Sequence, residues 1–236
     1  MIDSLQYHCD ARPEGLPAAA YALNAQVLDR GVYSFCMCQE DHCPAATAEG
    51  ELVVNGWSPS KRDSPFANSG MVVELQPGDW AKFGVDNPLA AMEFQSEIEQ
   101  ACFVAGGGKQ VAPAQRLQDF VSGKDSSLPD CSYLPGLNAA KLDEVLPKDI
   151  AQRLKEGFRE FGRKMRGYLT NEAVVVATES RTSSPVRIPR DAETLMHPQV
   201  RGLFPCGEGA GYAGGSCQRR WMGRVAGKVS SSIQQK

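Results

Sequence analysis

No stretch of this chain approaches the ~20 consecutive apolar residues that cross a bilayer, so no membrane span is read from it. The opening residues, MIDSLQYHCDARPEG, are polar and acidic and do not read as a secretory signal. A net charge of −3 with scattered basic residues excludes the electrostatic footprint of a nucleic-acid or membrane-surface binder. The most basic run, RLKEGFREFGRKMR at 153–166, alternates with Glu and Phe and reads as a solvated helix face. There is no C-x-x-C pair, no internal repeat, and histidine is scarce at three residues, which leaves little material for a metal centre. Eight cysteines in a chain of this length with no export signal are read as reduced thiols in a cytoplasm.

What is present fits an ordinary soluble globular chain of one large or two small domains, with 42% hydrophobic and 22% charged residues among 236. At this size folding buries about 70% of the unfolded surface. GVYSFCMC (31–38), ELVVNGWS (51–58) and SGMVVELQPGD (69–79) read as strands. A helix is expected within 86–108, with Asp86 or Asn87 capping it, Pro88 in its first turn and the glycines 106–108 ending it. Leu89, Met92, Ile98 and Phe103 roughly mark its apolar stripe. Residues 109–146, rich in Pro, Ser and Gly, read as a long surface connection with one short helix at AQRLQDFVSG. From Pro147 to about Tyr168, apolar residues at 150, 154, 158, 161, 165 and 168 predict a strong amphipathic helix. EAVVVATES (172–180) reads as a buried strand, and GLFPCGEG as a strand entering a glycine turn before a final helix.

That turn is the densest feature. LFPCGEGAGYAGG (203–215) places Gly207, Gly209, Gly211, Gly214 and Gly215 around Glu208, Ala210, Tyr212 and Ala213. Glycines remove the Cβ atoms that block close approach, and a strand-turn-helix brings backbone N–H groups against a phosphate or an electron-rich ring edge. The setting is not that of the usual dinucleotide fingerprint, which follows the first strand of a βαβ unit and has an acid some 20 residues later. GLPAAAYALN (15–24) is no substitute for it.

The blocks GVYSFCMC, NGWSPSKRDSPFANSGMVVE, PLAAMEFQSEIEQACF, GGGKQVAPAQRLQDF, ESRTSSPVRIPRD and LFPCGEGAGYAGG resemble the C-terminal part of the NAD(FAD)-utilising FAD-dependent dehydrogenases. These are relatives of the two-dinucleotide-binding-domain flavoproteins, and the resemblance runs from about residue 2 to 215. It implies an α+β fold. Residues 1–172 form an insert or substrate domain with a mixed or antiparallel sheet. Residues 173–236 form the C-terminal strand-turn-helix of an incomplete Rossmann-like FAD domain. It implies hydride transfer through FAD between a nicotinamide or organic small-molecule substrate and the flavin. It places Gly207, Glu208, Gly209, Ala210, Gly211, Tyr212, Ala213, Gly214 and Gly215 at the cofactor, and Arg181, Thr182, Ser183 and Ser184 at the flavin or substrate. Without the segment that grips the adenine and pyrophosphate, the chain alone is expected to bind FAD weakly or not at all. The alternative is a non-catalytic product, or a subunit completed by a separate FAD-binding chain.

Other residues carry open alternatives. Arg181, Arg187 and Arg190 stand among hydroxyls, and such sets grip phosphate or carboxylate; exposed arginines on a structural turn are the other reading, taken for Arg190. Cys36 and Cys38, with Met37 between, project to one side of a strand. They read as small core residues, as a thiol near the flavin, or, with Cys43 and His42, as a metal site lacking a ligand. Lys61, Arg62 and Asp63 face substrate or solvent. Cys9, Cys102, Cys131 and His197 read as structural. Residues 39–43 and 216–222 depart from the family pattern, and a compensated one-base slip of the reading frame accounts for both. The gene's nucleotides test that reading, and no function is assigned to those two patches.

Overall fold

The computed structural model describes residues 14–15, 23–38, 41–44, 47–57, 64–125 and 127–212; for residues 36–38, 41–44 and 57 this is the backbone alone. The fold is α+β, three small sheets packed with helices. Strands β1 (Asn24–Val27), β2 (Arg30–Cys38) and β5 (Asn68–Val73) form an antiparallel sheet in the order β1-β2-β5. Strands β3 (Asp41–Pro44) and β4 (Val54–Trp57) pair antiparallel. The third sheet is mixed: β6 (Ala112–Arg116) runs parallel to β7 (Leu137–Ala139) and antiparallel to β8 (Val174–Val176). β8 lies beyond residue 172, the expected domain boundary, and pairs with β6 through Ala114, Gln115 and Arg116.

Helix α1 (Ala90–Ala105) begins later than expected: Leu89 is its N-cap position and Pro88 lies before the first turn. Asn87 Oδ1 accepts from the Leu89 N–H at 2.9 Å, and Gly106 closes the helix. Its buried face differs from the expected stripe: Ala90, Phe94, Ile98, Glu99 and Cys102 face inward, whereas Leu89 and Met92 are exposed. Ala90, Phe94, Ile98 and Cys102 follow one another at i, i+4 and so form one row of the helix, with Glu99 buried beside it. A 3-10 helix (Pro77–Phe83) precedes α1; its Asp79 accepts from the Gln76 N–H at 2.6 Å and pairs with Arg30 of β2 at 2.8 Å.

The connection over 109–146 is not a surface excursion. It holds β6, the middle strand of its sheet, together with α2 (Leu117–Ser122), β7 and α3 (Leu142–Val145). Ala112, Pro113, Ala114 and Gln115 are all buried. Small residues and a proline carry no hydrophobic periodicity, so the strand is invisible to pattern reading. Its one amide side chain is satisfied: Gln115 donates to the Lys124 carbonyl at 2.9 Å and accepts from the Leu142 N–H at 3.1 Å.

Helix α4 (Lys148–Lys164) starts after Pro147, as its pattern predicts, and buries Ala151, Leu154, Gly157, Phe158 and Phe161. The core forms around Phe120, Phe158 and Phe161. Phe120 meets Phe158 edge-on at 6.1 Å, and Tyr168 meets Phe161 edge-on at 5.8 Å.

The strand expected at 202–206 does not form, since no described strand lies beside those residues to complete a ladder. The expected final helix, Ala213, Gly214 and Gly215, the patches 39–40 and 216–222, Cys9, Lys61, Arg62 and Asp63, and the side chains of Cys36, Cys38, His42 and Cys43 lie outside the described residues. Among the described residues no helix is long and apolar enough to cross a membrane, and no group of three metal-ligating side chains gathers.

Candidate functional site

A cavity of about 1190 Å³ opens between the β1-β2-β5 sheet, α1, α4 and the segment that leaves β8. Its apolar wall includes Met71, Trp80, Phe94, Ile98, Leu154 and Phe158. Its polar wall is the 178–185 stretch, which brings Thr182, Ser183 and Ser184 to the cavity; Arg181 does not line it.

Arg181 is turned the other way, into a carboxylate clamp. Its guanidinium donates to both oxygens of Glu99, at 3.1 and 2.6 Å, and reaches Glu51 at 3.3 Å. Ser180 Oγ donates to Glu99 at 2.5 Å, Ser96 Oγ donates to Glu51 at 2.5 Å, and Gln95 donates to the Ser180 carbonyl at 2.8 Å. Glu99 is only 1% exposed, and this company makes its burial tolerable. The cavity wall is thereby fastened to α1 by one fork-shaped ion pair and two hydroxyl or amide bonds. The Val54 N–H adds a bond to the Thr178 carbonyl at 2.9 Å. Expected at the flavin or substrate as a grip for phosphate or carboxylate, the Arg181 guanidinium is here engaged by the chain's own carboxylates.

Glu179 has the opposite surroundings. It lines the cavity, is half-buried, and makes no hydrogen bond or ion pair with any described residue. Burial alone pushes its carboxyl above the usual range. Pattern reading passed over it because it begins the block ESRTSS, where the arginine and the hydroxyls drew the attention. Cys131 also lines the cavity, and burial raises its thiol. Cys102 is fully buried beside Glu99, which pushes its thiol up to about 12 and leaves it chemically quiet.

The glycine cradle docks on the same segment. Residues 207–211 form a turn in which the Gly211 N–H donates to the Glu208 carbonyl at 2.8 Å and the Tyr212 N–H to the Gly207 carbonyl at 2.9 Å. Gly207 and Gly211 both take φ of 80°, the left-handed region that glycine alone enters freely. Ser184 Oγ donates to the Val186 carbonyl at 2.7 Å and has the Gly209 carbonyl as a second, longer acceptor at 3.3 Å, while the Ile188 N–H donates to the Ala210 carbonyl at 3.2 Å. Tyr212 donates its hydroxyl to the Ile188 carbonyl at 2.8 Å. The guanidinium carbons of Arg187 and Arg190 lie 4.6 and 3.7 Å from the Tyr212 ring centroid. Arg190 also donates to the Pro205 carbonyl at 2.7 Å, so it ties the turn down, whereas Arg187 is exposed. Two sequence-predicted groups, Thr182–Ser184 and Gly207–Tyr212, are thus brought together by Ser184.

The cradle has one closed side and one open side. A Cβ added at Gly211 would stand 2.9 Å from the Val186 carbonyl oxygen, so that glycine is needed for packing. A Cβ at Gly207 or Gly209 would meet nothing within 4 Å among the described residues. The open glycines are where a ligand could approach main chain. Gly209, Gly211 and Gly214 also stand at G-x-G-x-x-G spacing, without the first βαβ strand and the later acid of the dinucleotide fingerprint. His197 has a local role: its Nδ1 accepts from the Gln199 and Val200 N–H groups, both at 3.1 Å.

A family model described as FAD-dependent protein, C-terminal domain-like matches residues 1–182. The chain belongs to that family. The matched stretch holds the three sheets, the cavity's apolar wall and the Glu99–Arg181 clamp, and it ends at Thr182. An uncharacterized protein of Clostridium beijerinckii (strain ATCC 51743 / NCIMB 8052) is 42% identical over 223 residues. That likeness covers 91% of this chain and so extends past residue 182 toward the cradle, but the chain spans only 41% of the relative's own length. A FAD-dependent C-terminal domain is thereby a domain associated with flavoproteins.

Proposed function

We propose that this chain shapes the substrate cavity and one lip of the FAD site of a flavin-dependent oxidoreductase of the dehydrogenase type. The observation that supports this reading is the meeting of cradle and cavity: Ser184 lines the cavity with its hydroxyl 3.3 Å from the Gly209 carbonyl, and the segment that follows it bonds to the cradle through Ile188, Ala210 and Tyr212. The residues fit the cofactor. Gly207 and Gly209 leave the cradle open, and Arg187 stands beside it as an exposed cation suited to a phosphate. Gly207 to Gly215 would hold the flavin end of FAD, with Thr182, Ser183 and Ser184 at the boundary between flavin and substrate. FAD, when bound, supplies the hydride chemistry. The chain's own work is to hold a small molecule against the apolar wall, to keep water from it, and to orient it through the hydroxyls of the 182–184 segment.

A second reading is that the chain serves as a subunit completed by a separate FAD-binding chain. One titration tests both. FAD is added to the purified chain, alone and with a chain carrying the unmatched part of the relative, and the visible flavin band and flavin fluorescence are followed. Weak binding alone that tightens with the second chain, and that Gly209→Val abolishes without lowering Tm, supports the flavin site. No change in either signal under either condition overturns it.

A further inference from the structure

We infer that the cavity is a binding site for an apolar amine, with Glu179 as the group that receives its ammonium. Every charged side chain among the described lining residues is a carboxylate: Glu74, Asp130, Glu172 and Glu179. No lysine, arginine or histidine is among the described lining, so the charge of the described wall favours a cation over an anion. The rest of the wall is aliphatic and aromatic, which calls for an apolar body on that cation.

Glu179 is singled out from the four by its surroundings. Glu74 accepts from the Gly31 N–H at 3.1 Å and Asp130 and Glu172 are exposed to water, whereas Glu179 is half-buried and bonds to no described residue. An added Cβ on Gly70 of β5 would lie 2.7 Å from Glu179 Oε2, so this carboxylate rests against bare main chain. On α1, Gln95 lines the cavity and Glu99 lies outside its lining, and both are bonded to the Ser180–Arg181 step. Arg181, the nearest cation along the chain, is held by Glu99 and Glu51 and does not reach the cavity. A desolvated carboxylate with no counter-ion is costly, and an ammonium entering the cavity relieves that cost. This inference rests on the flavin-associated reading only for what the cavity serves, since amine binding is read without FAD.

The probes are 2-phenylethylamine, 2-phenylethanol and 3-phenylpropanoate, titrated into the full chain, free of FAD, by calorimetry. The amine is expected to bind about tenfold or more tighter than the alcohol, the size of one charge-assisted hydrogen bond, and the carboxylate not at all. Glu179→Gln should remove the amine's advantage and leave the alcohol's binding in place, whereas Glu172→Gln should leave the order unchanged. In the unaltered chain, amine affinity should fall as pH drops through the raised Glu179 range, a readout that needs no variant to fold. Equal binding of alcohol and amine, preference for the carboxylate, an unchanged preference in Glu179→Gln, or binding of none of the three at millimolar concentration overturns the assignment. Each outcome is independent of the flavin titration, so either idea can fail by itself.

Discussion

Glu99 and Glu179 keep opposite company, and that difference predicts opposite behaviour. Removing Arg181 strands Glu99, 1% exposed, without its counter-ion. Arg181→Met is therefore expected to cost about 3 kcal/mol, measured by urea unfolding. Glu99→Gln keeps hydrogen-bonding capacity and leaves a guanidinium that is 44% exposed to water, so about 1 kcal/mol is expected. The reverse order would show that the clamp is not what holds the wall. For Glu179 the folded carboxyl titrates above its unfolded counterpart. Its contribution to stability is full below the ordinary carboxylate range and is lost as pH rises through the raised value. Glu179→Gln should therefore raise Tm at neutral pH, with the gain vanishing as pH falls into that range. Asp143, held below the usual range by Lys155 at 2.6 Å, works with the other sign: its contribution is present at neutral pH and lost on acidification.

At the scale of one element, α4 shows packing overruling propensity. Gly157 sits mid-helix, where alanine is better by about 1 kcal/mol. An added Cβ there would stand 2.6 Å from Val32 Cγ1, and Val32 is fully buried in β2. Overpacking costs about 1–3 kcal/mol and outweighs the helical gain. Gly157→Ala is thus expected to destabilise, and Gly157→Ala combined with Val32→Ala to recover part of the loss; a stabilising single substitution would refute the close contact. This helix was legible because Ile150, Leu154, Phe158 and Phe161 repeat at helical spacing. β6 was not, because Ala112, Pro113 and Ala114 owe their burial to neighbours on both sides and to no period of their own.

Across the whole molecule, Gly70 is the point where two parts of the fold converge. It belongs to β5, and a Cβ there would run into the Phe35 ring of β2 and the carboxylate of Glu179 beyond β8. Gly70→Ala is expected to cost about 1–3 kcal/mol and to shift the Glu179 titration as well, read by carboxyl NMR. An unmoved titration would mean that sheet and wall are independent. The carboxylate partners of Arg181 lie 82 and 130 residues away in sequence, and no local pattern announces such a pair. The chain's sequence determined by itself the α+β class, the two long helices and the conspicuous glycine turn, because periodicity, capping and glycine content act over a few residues. Only the tertiary structure decided that Arg181 faces Glu99, that Ser184 joins the turn to the cavity, and that Glu179 is left without a counter-ion. Those outcomes depend on which distant side chains the packed core brings within a few ångströms.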